Sequence, residues 1–222
     1  MSVSSENPKQ ALFAQFAAVA KAVAHPHRIG LLEQLAQGER SVDVLAKRVG
    51  LSVANASQHL QHMRRAGLVA ARREAKFVFY SLGDDTILDL LASVRRIAER
   101  NLAEVERLVR GYFDRRDSLE PVSRLELMDR VKAGIVTVLD VRPGDEFALG
   151  HIPGALNISL GQLEKRLADI DPVHEVVAYC RGPYCVLSYE AVALLRARGF
   201  KARRLEDGLP EWRAAGLPVE TA

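Results

Sequence analysis

The stretch Val176-VVAYCRGPYCVLSYEAVALLRARG-Gly199 runs from an apolar segment into a helical pattern and holds both cysteines of the 222-residue chain, Cys180 and Cys185. A short apolar run bounded by turn residues reads as a strand buried on both faces. The residues from Cys185 onward repeat apolar positions at helical spacing. The Cys-x4-Cys spacing differs from the Cys-x2-Cys of zinc ribbons and thioredoxin-like motifs. With no second pair of soft ligands elsewhere, a structural zinc site is disfavoured. Redox chemistry, nucleophilic chemistry, or two unrelated core residues remain.

Outward from this stretch, strands alternate with helices. A helix over 123–134 leads to a strand "VTVLDVR", and a loop "PGDEFALGHIPGALNISL" precedes a helix around "LEKRLADI". Strand "EVVAYC", the helix from Cys185, strand "ARRLE" and helix "LPEWRAA" follow. This pattern predicts a small α/β domain with a parallel sheet. In such sheets ligands bind outside the carboxyl ends of the strands, where Cys180 stands. The segment Arg181, Gly182, Pro183, Tyr184, Cys185, Val186 can curl with its N–H groups inward. Those donors, the helix N-terminus and Arg181 would favour a thiolate. A small buried hydrophobe is the plainer reading of many cysteines, but it leaves Cys-Arg-Gly-Pro at a strand end unexplained.

The pieces "VLDVRPGDEFALGHIPGALNISL" (Val138–Leu160), "VVAYCRGPYC" and "LEDGLPEWRAAGLPV" (Leu205–Val219) resemble a rhodanese, a sulfurtransferase module. The resemblance implies that Cys180 carries transferred sulfur as a persulfide and that Asp140 and Arg142 support the site. It also implies a sulfane-sulfur donor and a thiol or cyanide acceptor. The loop is shorter than that of related cell-cycle phosphatases and lacks their terminal Arg, which disfavours phosphatase activity. It departs from many rhodaneses in the position of Gly182, in ending on Cys185, and in Asp207-Gly208 where Gly-Gly is frequent. The second thiol suggests that a Cys180 persulfide could resolve with Cys185.

The N-terminal half follows other rules. Leu12, Phe16, Val19 and Val23 mark a first helix. Pro26 opens a second that Gly38 stops. Ser41 and Ser52 look like N-caps of two further helices ended by Gly50 and Gly67. In the last of these, Val53, Ala56, Leu60 and Met63 share one face. Asn55, Ser57, Gln58 and His59 point elsewhere, and Arg64 and Arg65 lie at its end. Asn and Gln can pair with base edges, and Arg and Ser suit phosphates or guanine. "LVAARREAKFVFYSL" then alternates as a hairpin whose tip bears Arg72, Arg73 and Lys76. A basic hairpin after a polar-faced helix points to double-stranded DNA.

The segment "HPHRIGLLEQLAQGERSVDVLAKRVGLSVANASQHLQHMRRAGLVAARREAKFVFYSL" resembles the winged helix-turn-helix of ArsR/SmtB-type repressors, over roughly Leu12–Arg110. The resemblance implies a homodimer reading a palindromic operator, with the helix around Ser57, Gln58 and His59 in the major groove. The family's usual metal-sensing residues are missing: "ERSVDVLAKR" has no Cys, and the last helix, read from Asp84 to Arg110, has no His. No metal and no cofactor are therefore expected. The apolar stripe of that helix (Ile87, Leu90, Leu91, Val94, Ile97, Ala98, Asn101, Val105, Leu108) and the first helix are expected to form the dimer face.

Charge is divided between the halves. Residues 1–117 carry 18 Lys/Arg against 13 Asp/Glu, whereas residues 118–222 carry 13 against 15. Within residues 39–76 the balance is 8 basic to 3 acidic, the footprint of phosphate contact. "ALFAQFAAVAKAVA" lacks a basic lead and is interrupted by Gln15 and Lys21, so it reads as neither signal peptide nor membrane span. A cytoplasmic protein is expected.

The expected architecture is two domains. Residues 1–112 form a mainly-α winged helix-turn-helix for DNA binding and dimerisation, 113–120 a linker, and 121–222 an α/β rhodanese-like domain with a parallel sheet. Three readings stay open: a sulfur-responsive DNA-binding regulator, a thiosulfate-type sulfurtransferase with autoregulatory DNA binding, and a Cys180–Cys185 thiol redox switch.

Overall fold

The computed structural model describes residues 7–114 and 120–222. The chain divides into two compact units between Leu91 and Ala92. The expected linker 113–120 lies mostly outside the described residues.

In the first unit, α1 (Pro8–Val23) and α2 (Pro26–Leu35) precede β1 (Arg40–Ser41), α3 (Val42–Val49) and α4 (Val53–Arg65). The hairpin β2 (Val69–Glu74) and β3 (Phe77–Leu82) follows, and then α5 (Thr86–Asn101), which continues past the division at Leu91. Gly50 closes α3 in the left-handed region at φ 71°, where a side chain would be strained. Ser52 Oγ then accepts from Asn55 N at 3.2 Å and starts α4, so the turn between these helices is set by two residues. Leu31, Leu32, Leu45, Leu60 and Met63 are fully buried beneath the hairpin's Val69 and Tyr80. The expected fourth member of the α4 face, Val53, is instead 45% exposed. It stands at the first position of the helix, ahead of the turns that pack against α2 and α3.

β2 and β3 pair antiparallel from Val69↔Leu82 to Glu74↔Phe77, with Ala75 at φ 51° in the two-residue turn. β1, which the sequence pattern did not mark, pairs with β3 and gives the order β1-β3-β2.

The expected single helix from Asp84 to Arg110 is corrected. α5 ends at Asn101, α6 (Ala103–Leu108) follows, and Val109–Asp114 form a π-helical turn. The Asn101 side-chain amide donates to the Ile97 carbonyl at 2.8 Å, a local bond that competes with helix propagation. Leu102 next to it is extended, at φ −109° and ψ 104°.

The second unit holds α7 (Arg124–Lys132), β4 (Val136–Asp140), α8 (Gly144–Leu149), β5 (Leu156–Asn157), α9 (Leu160–Leu163), β6 (Glu175–Tyr179), α10 (Val186–Ala197), β7 (Ala202–Arg204) and α11 (Leu209–Ala214). The four strands form one parallel sheet in the order β5-β4-β6-β7. The segment 143–160, expected as a loop, carries α8 and β5. The helix expected around "LEKRLADI" is a single turn at Leu160–Leu163 and a 3-10 turn at Leu167–Asp169.

Period-two alternation divides the core into two layers. Val176, Ala178 and Cys180 pack on one face of the sheet with Ala191, Val192 and Leu195 of α10. Val177 and Tyr179 pack on the other with Leu127 of α7 and Trp212 of α11. Cys180 therefore takes its place in a core layer and at the strand end together.

Candidate functional site

β6 ends at Tyr179, and Cys180 is the first residue beyond it, 1% exposed. Its carbonyl accepts from Leu209 N at 3.1 Å, which ties the strand end to α11. Five residues later Cys185 caps α10 and is also buried. Cys185 N donates to the Gly182 carbonyl at 3.1 Å, so the loop turns back on itself. The two cysteine Cα atoms lie 6.0 Å apart and their sulfurs are joined as a disulfide. The Cys185 carbonyl in turn receives Ser188 N and Ser188 Oγ, fixing the first turn of α10.

Arg181, expected to help hold a thiolate, is engaged elsewhere. Its Nε and Nη2 meet the carboxylate of Glu146 on α8 at 2.8–3.2 Å. Glu146 has no solvent exposure.

Asp140, the last residue of β4, and Arg142 just after it are both completely buried. Arg142 donates from Nε and Nη2 to the Asp140 carboxylate and from Nη2 to the Gly150 carbonyl at 2.8 Å. Asn157 Nδ2 bridges the carbonyls of Asp140 and Arg142. This network closes the loop between β4 and β5. Tyr179, next to it, has its phenol pushed far up by burial and by the Asp140 carboxylate, so it stays neutral. It also accepts Ile152 N at 3.1 Å.

On α4, Asn55, Gln58, Arg64 and Arg65 are exposed, whereas Ser57 is half-buried and accepts from Gln61 Nε2 at 3.4 Å. His59 is turned toward the start of α2: its ring lies 4.6 Å from that of His25 and 6.0 Å from that of His27. Burial, then the charges of His25, Arg28, His27 and His62, hold its imidazole below the usual histidine range. In the hairpin, Arg72 is gripped by Glu39 (2.7 Å) and Glu74, and its guanidinium also lies over Phe79. Arg73 Nε reaches the Ala75 carbonyl, and the Lys76 ammonium lies over the Phe77 ring.

Residues 23–72 match the helix-turn-helix domain family and residues 123–215 the rhodanese-like domain family. An HTH-type transcriptional regulator of Mycobacterium tuberculosis is 42% identical over 96% of this chain and 93% of its own length. This chain belongs to the HTH-type transcriptional regulators, with an ArsR-type winged helix-turn-helix and a C-terminal rhodanese domain. The regulator's first part is also similar to the homodimeric winged helix-turn-helix DNA-binding domain of a Mycobacterium bovis protein, at 36% identity over 46% of this chain and 95% of that one, with a TM-score of 0.41. Its second part is similar to a rhodanese-related protein of Thermoplasma volcanium, at 25% identity over 47% of this chain and 100% of that one, with a TM-score of 0.42.

Two residues of this rhodanese-bearing regulator carry no signal in its sequence. Glu146 is the buried partner of Arg181. Glu39 balances Arg72. Gly208 lets the start of α11 approach the cysteine loop: a Cβ there would stand 2.3 Å from Gly182 N and 2.4 Å from the Arg181 carbonyl carbon. Of the pair Asp207-Gly208, the second position is the one where this approach requires a glycine. Among the described residues no group of three His, Cys, Asp or Glu side chains could hold a metal ion, and no helix is long and apolar enough to cross a membrane.

Proposed function

We propose that this regulator senses sulfane sulfur through Cys180 and converts the signal into altered operator affinity. The observation that supports this reading best is the pairing of a strand-end cysteine with a second cysteine close enough to bond to it. In the reduced protein, loop amides and the α10 N-terminus stabilise a Cys180 thiolate. That thiolate attacks a terminal sulfur of an inorganic polysulfide. A bond forms from Cys180 Sγ to that sulfur, the donor's S–S bond breaks, and the shortened polysulfide leaves with the electron pair. The Cys185 thiolate then attacks Cys180 Sγ. The Sγ–Sγ bond forms, the persulfide bond breaks, and the outer sulfur leaves as hydrosulfide. The sulfane sulfur is reduced and the two thiols are oxidised, so no further oxidant is required.

DNA reading is assigned to a homodimer. Leu12, Phe13 and Phe16 of α1 and Ile97 of α5 are at least half exposed in the single chain, which supports these two helices as the dimer face. Asn55, Gln58 and Arg64 would face a palindromic operator, and Arg73 and Lys76 the phosphates. Residues 1–112 would form this DNA-binding and dimerisation domain, 113–120 the linker, and 121–222 the sulfur-accepting domain, in a cytoplasmic protein.

The disulfide also favours a second reading, direct thiol oxidation without sulfur transfer. Both readings are tested on the reduced full chain with a duplex selected by it from a random library. Polysulfide should change the affinity of wild type and leave Cys180→Ser unchanged. Intact mass should show a gain of about 32 Da before a loss of about 2 Da. Loss of about 2 Da with no earlier gain, under polysulfide as under peroxide, supports the redox switch. Steady thiosulfate:cyanide turnover with no change in DNA affinity would make the protein chiefly a sulfurtransferase.

A further inference from the structure

Two chains of contact run from the cysteine loop to one face of α5. Tyr184, the residue before Cys185, donates its hydroxyl to Glu99 Oε1 at 2.9 Å. On the far side of the loop, Gly182 and Arg181 are pressed against Gly208. Gly208 N donates to Glu211 Oε2 at 3.1 Å, and Glu211 Oε1 receives Arg95 Nη1, also at 3.1 Å. Arg95 and Glu99 are one turn apart on α5 and face each other at 3.7 Å. The two routes thus converge on a single ion pair.

The groups are partly screened from water, which gives their geometry weight. Arg95, Glu99 and Glu211 side chains are each a quarter to a third exposed. Arg95 and Glu99 border a cavity of about 500 Å³ whose wall includes Pro183 and Tyr184 of the loop. The Tyr184 ring packs on Phe113 at 5.2 Å, and Phe113 on Tyr189 of α10 at 4.8 Å. Burial and the Glu99 carboxylate push the Tyr184 phenol up to about 12, so it remains a hydrogen-bond donor through the neutral range.

We propose that Tyr184 and Glu99, seconded by Glu211 and Arg95, couple the state of the Cys180–Cys185 pair to α5. A disulfide fixes the loop's last residue and with it the adjoining Tyr184. A dithiol or a Cys180 persulfide releases that constraint and places new volume at a site with 1% exposure. Tyr184 is the loop side chain that reaches α5, so its bond to Glu99 differs between the two states. The C-terminal part of α5 feels the change, and the same helix runs back to Ile87, which is buried in the core of the first unit. Two arrangements of one packed element are what coupling between distant sites requires. The inference rests on the sulfur-sensing function proposed above and names how that signal leaves the loop.

The test uses full-length protein and the library-selected duplex. Affinities of the dithiol and disulfide forms are measured for wild type, Tyr184→Phe and Glu99→Gln, with modification of Cys180 followed by intact mass. In wild type the two forms should differ by at least about fivefold, within the usual range of allosteric coupling. Tyr184→Phe keeps the ring and removes the donor, so the ratio should fall below about twofold while Cys180 modification proceeds as in wild type. Glu99→Gln should retain part of the effect, because an amide oxygen still accepts. Wild-type ratios in both variants, with Cys180 modified normally, overturn the coupling. Equal affinities of the two wild-type forms overturn the sensing function itself and the coupling with it. A variant that misfolds is recognised by reduced-form affinity and Tm, and Tyr184→Leu then repeats the comparison.

Discussion

Arg181 makes a two-pronged ion pair with Glu146, a carboxylate completely enclosed by the second unit. The residue next to the strand-end cysteine is thereby anchored to α8, and the loop begins from a fixed point. The two partners differ in their access to water: the Arg181 side chain is 18% exposed and Glu146 is 0% exposed. Removing either should be costly, on the order of 3–5 kcal/mol for a buried pair that loses one member. Arg181→Ala should be the worse of the two, because it strips a charge from an enclosed carboxylate, whereas Arg181 can turn outward when Glu146 is removed. Urea unfolding of both variants measures the order. Equal losses would mean that the pair's environment is far wetter than its burial indicates.

In the hairpin, charge alone is a poor guide to phosphate contact. Arg72 is balanced by Glu39 and Glu74, and these carboxylates hold its guanidinium firmly protonated. Lys76→Ala should weaken binding to all duplexes alike and reduce the slope of affinity against salt by about one. Arg72→Ala should change that slope less, since its charge is already countered. Gln58→Ala should instead alter the ranking of operator variants, at about 1–3 kcal/mol if it pairs with a base edge. Fluorescence titrations across salt concentrations and single-base variants read both effects. An unchanged ranking in Gln58→Ala would relocate the recognition face.

What the sequence made legible depends on the range of the signal. The caps at Ser52 and Gly50, the hairpin, and the strand-end position of Cys180 follow from local pattern and turn chemistry. The period of β6 assigned its residues to two faces without knowledge of the neighbours. Partners were not legible: Glu146 is 35 residues from Arg181 and Glu39 is 33 from Arg72, and no periodicity connects them. The short elements α8 and β5 escaped for the same reason, since Arg142, Gly150 and Asn157 fix them by tertiary bonds. Val53 shares the apolar face of α4 yet is exposed: periodicity marks a face but not where along the helix that face meets its neighbour. The break after Asn101, where Leu102 is extended, leaves no mark in the apolar stripe.

The imidazoles of His25, His27 and His59 form a compact group at the junction of α2 and α4. His25 Nδ1 accepts from His27 N at 3.2 Å, which caps α2. His59 has its affinity for a proton lowered by burial and then by neighbouring positive groups. A histidine with a lowered folded-state pKa favours folding while neutral. Its contribution is complete above the unfolded value near 6.5 and is lost as pH falls through the lowered folded value. The first unit should therefore lose stability as pH drops below about 6.5, and His59→Gln should flatten that dependence. Thermal unfolding between neutral and mildly acidic pH decides it, and an identical slope in the variant would remove His59 from the account.

The two thiols should behave unequally once the disulfide is reduced. Cys180 lies at the strand end where the loop begins, whereas Cys185 caps α10 with its carbonyl engaged by Ser188. Alkylation of Cys180 should thus proceed well below the ordinary thiol pKa of about 8.5, and that of Cys185 more slowly at the same pH. Since Arg181 is held by Glu146, the stabilisation of the Cys180 thiolate comes from the loop amides and the helix end. Arg181→Lys should then leave the reactivity of Cys180 within about threefold of wild type, less than half a pK unit. After a single dose of polysulfide, Cys180→Ser should form no persulfide, because the nucleophile is gone. Cys185→Ser should form one at the wild-type rate and keep it longer, because the attack that releases hydrosulfide is removed. A mass-spectrometric time course on each variant follows both steps. Equal persulfide lifetimes in wild type and Cys185→Ser would confine Cys185 to capping α10. A persulfide on Cys185 in the Cys180→Ser variant would move the nucleophile from the strand end to the helix start.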